Sequence, residues 1–277
     1  MEKNTPRFIA SLKGKRKISA ITAYDYPSAY YADRAGVDVI LVGDSLGMVI
    51  KGEENTLGVT LQDVEYHTRA VAKGVSRALV VGDLPFMSYF SVEEALKSSA
   101  TLIRAGASAV KLEGPRIEQI RALIREGIPV MGHVGLTPQQ YLHIGFKTQG
   151  RRTSSALKLV EQAKAIEDAG AFSVVLESVP MEVAREITSI LNIPTIGIGA
   201  GPFCDGQILV FHDLLGMYPG EKPSFVREYA KIGEEIVRGI KGYIEDVVSG
   251  NFPSEDESFK MKPGERDSFI REVKKWK

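Results

Sequence analysis

Three carboxylates, Asp44, Asp83 and Glu113, each close a segment that reads as a strand. The segments are VDVILVGDS (37–45), ALVVGDLP (78–85) and AVKLEG (109–114), with helix-like sequence before and after each one. In one parallel sheet the acids would stand side by side at its C-terminal edge, where βα-barrels build active sites. Clustered carboxylates repel one another unless positive charge lies between them. Oxygen donors favour a hard divalent cation such as Mg²⁺. The pattern therefore points to a metal-assisted enzyme with Asp44, Asp83 and Glu113 as metal ligands.

Residues two apart on a strand share a face, so Lys111 points the same way as Glu113. His133 ends the fifth strand-like segment and Glu177 the sixth. Five successive strands thus bring polar side chains to one edge. Three carboxylates, one ammonium and one divalent cation sum to a neutral site that can accept an anionic substrate. Glu177 lies outside that sum and is a natural general base. Chelation of a 2-oxo acid by the metal would polarise the ketone and stabilise an enolate after proton loss.

Plainer readings compete. A single Asp at a strand end is commonly a helix cap or a solvated loop residue. Lys111 inside a barrel is harder to explain that way, since buried lysines are rare unless paired. His133 reads equally as a satisfied structural histidine. His67 and His143 read as surface or loop residues, and His212 sits in FHD at another strand end. GIGAGP (197–202) offers backbone N–H groups to an anion, or glycines for tight packing. Cys204 reads as a small buried residue. Tyr24 and Asp25 close strand one beside the same mouth.

The elements that must position these residues alternate along the chain. Strands are expected at 18–25, 37–43, 78–83, 109–114, 128–138, 172–178, 195–201 and 207–213. Between them lie helical segments such as LQDVEYHTRAVAKGV, with Leu61, Val64, Thr68 and Val71 on one face. Another is SVEEALKSSATLIRAG, where Ser91 and Glu94 form a capping box and Gly106 ends the helix. Pro115 and Gly127 bracket a third. The polar stretch 139–154 interrupts the rhythm and has the length of a functional loop or lid. About eight strands with intervening helices in 277 residues predict a (β/α)₈ TIM barrel with a C-terminal helical extension. Residues 1–277 are expected to be one barrel domain, with C-terminal helices over 223–250 and a charged tail over 251–277. A doubly wound open sheet is the alternative.

Composition removes several classes. Hydrophobic residues make up 44%, enough for a full core, and Lys+Arg and Asp+Glu balance at 35 each. That balance argues against a nucleic-acid partner. The one cysteine cannot form an intrachain disulfide, and the basic start lacks an apolar signal core. Apolar runs fall far short of a membrane span. A soluble, cytoplasmic protein is expected.

The motifs ITAYDYPSA, LVGDSLGMV, TLQDVEYHTRAV, DLPFMSY, AVKLEG, PVMGHVGLTPQ, KTQGR, VLESVP, IPTIGIGAGPFCDGQILVFHDLLGM and KPSFVREY follow in unbroken order within a resemblance that spans about residues 5 to 255. Together they resemble the ketopantoate hydroxymethyltransferase family. The resemblance implies a barrel of the phosphoenolpyruvate mutase/isocitrate lyase type. It implies transfer of a hydroxymethyl group from 5,10-methylenetetrahydrofolate to 3-methyl-2-oxobutanoate, giving 2-dehydropantoate on the route to pantothenate and coenzyme A. It implies Mg²⁺ on Asp44, Asp83 and Glu113, and substrate contacts from Asp44, Ser45, Asp83 and Lys111. Glu177 matches the proton acceptor, and His133 a histidine lining the pocket. A homo-oligomer, commonly a decamer, is implied as well. The charged tail after about residue 255 departs from the pattern. Two rivals stand beside this reading: a Mg²⁺-dependent 2-oxo-acid lyase on the same barrel, and a non-catalytic binding or scaffold barrel. Isocitrate lyases carry a catalytic cysteine in a Lys-Lys-Cys-Gly-His context, which this chain lacks.

Overall fold

The computed structural model describes residues 3–276. Of these, residues up to Tyr229 form one compact unit and those from Ala230 onward a second. In the first, eight parallel strands close into a barrel in chain order. They are β1 Ile18–Thr22, β2 Val39–Val42, β3 Leu79–Asp83, β4 Ala109–Lys111, β5 Val130–Gly135, β6 Ser173–Glu177, β7 Thr195–Ile198 and β8 Gly206–Leu209. β8 pairs back onto β1, with Ile18 opposite Gly206 and Ile21 opposite Leu209, so the open-sheet alternative is excluded.

The period-two alternation of each strand divides its side chains between two cores. Val39, Leu41, Leu79, Val81, Ala109, Met131, Val175, Ile196 and Ile208 fill the barrel interior. The intervening Ile40, Val42, Val80, Val110, Val134, Val174 and Leu176 face outward into the layer shared with the helices. The helix over Leu61–Gly74 buries Val64, Thr68 and Val71 there, and Leu61 is partly buried. Glycine is needed where a helix approaches closely: a Cβ on Gly132 of β5 would lie 2.4 Å from Ile166 Cγ2. The helix Pro6–Ala10 closes the barrel floor, its Ile9 and the following Leu12 joining the interior cluster.

Side-chain caps fix where helices begin. Thr60 and Asp63 form a reciprocal capping box. Ser91 accepts from the Glu94 N–H, the N-terminal half of the expected box. Asp33 ties the helix Tyr26–Ala35 to the start of β3, accepting from the backbone N–H groups of Ser76, Arg77 and Ala78 and from the Ser76 hydroxyl. Burial pushes its carboxyl upward, but these donors outweigh that and hold it below the usual range.

Several expected boundaries shift. β1 stops at Thr22 and β5 spans only Val130–Gly135. The eighth strand ends at Leu209, and Phe211–Leu214 is a turn of helix whose first N–H donates to Thr22 Oγ1. The stretch after Gly135 holds a 3₁₀ turn, Pro138–Gln140, and a short helix, Tyr141–Ile144. The C-terminal helix starts at Ile232, not 223, and ends at Ser249 with Gly250 in the left-handed region. Residues expected as a plain charged tail include a further helix, Glu265–Val273. Met1, Glu2 and Lys277 lie outside the described residues.

Candidate active site

A cavity of about 560 Å³ opens at the C-terminal end of the barrel. Asp44, Ser45, Asp83, Lys111, Glu113, His133 and Glu177 all line it, so the fold brings together every site residue expected from the sequence. The inward phase explains most of them. Asp83 continues the face of Val81, Lys111 and Glu113 that of Ala109, His133 that of Met131, and Glu177 that of Val175. Register aligns them across strands: Asp83 pairs with Lys111, and Gly135 with Glu177. Bonds past the strand ends extend the order, from Leu84 N–H to Lys111 O, Gly114 N–H to His133 O, and Leu136 N–H to Glu177 O. Gly135, at φ 102°, leaves no room for a side chain, since a Cβ would lie 2.2 Å from Glu177 O.

Asp44 reaches the cavity differently. The inward position after Leu41 is Gly43, where a Cβ would lie 3.2 Å from Ser45 Oγ and 3.7 Å from Asp83 Oδ2. Glycine leaves that space to the neighbouring side chains. The chain then turns, and the Asp44 N–H donates to Asp83 Oδ2 at 3.3 Å. Ser45 Oγ is 2.8 Å from the hydroxyl of buried Tyr24.

Lys111 Nζ lies 2.8 and 2.9 Å from the two oxygens of Asp83 and 3.9 Å from Glu113 Oε1. All four charged groups are buried. Three carboxylates against one ammonium leave two negative charges unmatched. Burial drives Asp83 upward, Lys111 opposes it and Asp44 adds to it, leaving it at about 7. Burial also raises Asp44 and Glu113 despite Lys111. The Lys111 ammonium is itself stabilised: burial opposes its charge, but Asp83, Glu113 and Asp44 outweigh it.

His133 is 1% exposed, with Nδ1 3.6 Å from Glu113 Oε1 and Nε2 3.3 Å from Glu177 Oε2. Among the described residues, neither nitrogen has a hydrogen-bond partner of good alignment. Burial lowers its pKa, so the ring is neutral at pH 7. It is not the satisfied structural histidine of the plainer reading.

Among the described residues no three His, Cys, Asp or Glu side chains converge as a ready-made metal cage. Lys111 occupies both oxygens of Asp83. The donor chemistry nonetheless fits a hard divalent ion: buried carboxylate oxygens from Asp44, Asp83 and Glu113, short of positive charge by the amount such an ion carries.

Sequence reasoning missed Gln139, which is 4% exposed and touches two of these acids. Its Nε2 donates to Asp44 Oδ2 and its backbone N–H to Glu113 Oε2. The only signal was its place in LTPQQ at the root of the long stretch after β5, and spacing does not tell where an amide reaches. The mouth is completed by Phe146, Lys147 and Thr148 from that stretch, and by Tyr218 and Phe225. The GIGAGP glycines serve packing: Cβ atoms on Gly199 and Gly201 would meet Phe225 at 2.8 Å and Met181 at 2.4 Å. Asp25 is exposed and caps a helix rather than lining the mouth. Cys204 is buried in the outer layer. His67 contacts the Tyr24 carbonyl, His143 is exposed, and His212 sits on the short helix after β8 beside Asp213, which lines the cavity.

Closed parallel barrel and acid-rich mouth define the class: a (β/α)₈-barrel enzyme with its site at the C-terminal face. Residues 2–255 match the family model described as ketopantoate hydroxymethyltransferase. A curated 3-methyl-2-oxobutanoate hydroxymethyltransferase of Pyrococcus abyssi is 50% identical over 276 residues, covering 98% of both chains. One from Clostridium botulinum is 53% identical over 265 residues, covering 94% of this chain and 96% of its own. The chain belongs to the ketopantoate hydroxymethyltransferase family. Solved structures share the fold at low identity. A 2,3-dimethylmalate lyase, described as a PEP mutase/isocitrate lyase superfamily member, aligns with TM-score 0.58 at 18% identity, covering 99% of both chains. A phosphonopyruvate hydrolase aligns with TM-score 0.59 at 16% identity, covering 99% of this chain and 98% of its own.

Proposed function

We propose that this site hydroxymethylates 3-methyl-2-oxobutanoate, using 5,10-methylenetetrahydrofolate and water and releasing 2-dehydropantoate and tetrahydrofolate. This is a step of pantothenate biosynthesis. The observation that carries the reading is the convergence of Asp44, Asp83, Lys111, Glu113 and Glu177 on one cavity in a chain of this family.

Asp44, Asp83 and Glu113 would hold a divalent cation, Mg²⁺ in the first instance, which when bound supplies Lewis-acid polarisation of the substrate ketone. Lys111 and Ser45 hold the substrate carboxylate, the ammonium by charge and the hydroxyl by a hydrogen bond that Tyr24 orients. Glu177 is 18% exposed at the side chain, so water or substrate can reach it as the other acids' surroundings close in. It takes the C3 proton, and the electron pair left on C3 delocalises towards the ketone oxygen. C3 then bonds to the one-carbon unit of the folate, and water supplies the hydroxyl as tetrahydrofolate departs. Neutral His133 gives Glu177 a polar neighbour without charge. Family likeness further supports a homo-oligomeric assembly.

The test is exchange of the C3 proton in D₂O, followed by NMR with and without Mg²⁺ and with tetrahydrofolate added in parallel samples. Metal-dependent exchange is expected. Absence of exchange even with tetrahydrofolate would remove the enolising site from the reading.

A further inference from the structure

We infer that Gln139 is a positioning residue that holds Asp44 and Glu113 in a fixed relation, and that Tyr89 holds Gln139 in turn. The inference rests on the metal reading above and adds to it. Gln139 Nε2 lies 2.9 Å from Asp44 Oδ2 and 3.0 Å from Leu84 O, and its backbone N–H lies 3.1 Å from Glu113 Oε2. The Tyr89 hydroxyl donates to Gln139 Oε1 at 2.6 Å. These contacts set the amide's orientation. The flipped amide would put its carbonyl oxygen against a carboxylate and a carbonyl, two acceptors.

Asp44 follows β2 and Glu113 follows β4, so the two acids come from strands that are not neighbours. Among the described residues, no other hydrogen-bond donor reaches the Asp44 carboxylate. Glu113 lies 3.9 Å from Lys111 and 3.6 Å from His133, and its carboxylate accepts at hydrogen-bond distance from the Gln139 N–H. Asp83 is held separately by Lys111. One glutamine therefore joins the two acids that Lys111 does not grip closely. Tyr89 is 5% exposed, and its own carbonyl accepts from Gln119 Nε2, so the brace is anchored in the layer behind the site. Groups that hydrogen-bond metal-ligating carboxylates typically change metal affinity 10–100-fold when removed.

The test is calorimetric titration of Mg²⁺ into the metal-stripped full-length protein, for wild type, Gln139→Leu, Tyr89→Phe and the double variant, with kcat and KM measured alongside. Gln139→Leu is expected to weaken Mg²⁺ binding about 10–100-fold. Tyr89→Phe should weaken it less, and the double variant should be no weaker than Gln139→Leu alone. A role in folding only would lower the active fraction and melting temperature while the folded population kept its Kd. Both single variants binding Mg²⁺ as the wild type does would overturn the inference. Should Gln139→Leu fail to fold, Tyr89→Phe decides, since it leaves the glutamine in place. A wild type that binds no Mg²⁺ would sink the metal reading and this inference together, whereas variants that match a Mg²⁺-binding wild type would sink this inference alone.

Discussion

Lys111→Met in metal-stripped protein tests the electrostatics of the site directly. The substitution keeps an unbranched side chain and deletes the ammonium 2.8 and 2.9 Å from Asp83. Both partners are almost fully buried. Breaking such a pair by removing one partner costs about 3–5 kcal/mol, because the other charge stays buried alone. For a chain of this size that corresponds to a melting temperature lower by roughly 6–20 °C. The cost depends on pH. Asp83 titrates at about 7 even with Lys111 beside it. Without Lys111 its pKa rises further above the unfolded value of about 3.9. A group that binds protons more readily folded than unfolded gains stability as pH falls. The variant's deficit should therefore be largest at pH 8 and shrink towards pH 6, where Asp83 takes up a proton. Calorimetric melts in EDTA at matched protein concentration would read this. A variant melting with the wild type at pH 8, or a deficit unchanged from pH 8 to 6, would refute the reasoning.

Three further outcomes are expected. Glu177→Gln should slow C3 proton exchange about 10²–10⁴-fold with Mg²⁺ affinity unchanged, and wild-type exchange would exclude Glu177 as the base. Tyr24→Phe removes the hydrogen bond to Ser45 and should raise KM for the oxo acid about 2–12-fold with little change in kcat, measured by steady-state kinetics. Asp33→Asn removes the charge that four donors share and should cost about 1–3 kcal/mol near neutrality. Because the folded-state pKa of Asp33 is depressed, that stabilisation holds above the unfolded pKa and is lost as pH falls through the folded value. The gap between variant and wild-type melting temperatures should thus close in acid.

The barrel was legible because its signals are local and repeated. Short apolar segments alternate with helical ones, and each strand's alternation also predicts which side chains face inward. The in-phase residues Asp83, Lys111, Glu113 and Glu177 follow from that rule alone. Asp44 does not: Gly43 holds the inward position, and Asp44 enters through a turn whose geometry no period encodes. Gln139 was hidden for a related reason. Its role depends on where a loop folds back, and a glutamine on a polar stretch has no pattern to betray it. The false extension of β8 through His212 arose from a continuous apolar run. The chain instead turns into helix there, with the Phe211 N–H capped by Thr22 Oγ1. The GIGAGP segment looked like an anion cradle because glycine serves both roles, and only the positions of Phe225 and Met181 distinguish them.

The floor of the barrel has a bearing on traffic. Ile9 and Leu12 stop the lower end, and the layers above them are packed aliphatic side chains rather than a passage. Among the described residues, the cavity at the barrel mouth is the approach to the buried acids that the packed interior leaves. On the proposed function, an oxo acid held by Lys111 and Ser45 would sit among the deepest groups, and a bulkier folate would have to lie nearer the mouth. Arrival would then be a queue: the small molecule first, the large one second. Departure would reverse it, with the spent folate leaving before the enlarged product. A compulsory order of this kind would arise from the shape of a dead-end chamber, with no moving part required to enforce it.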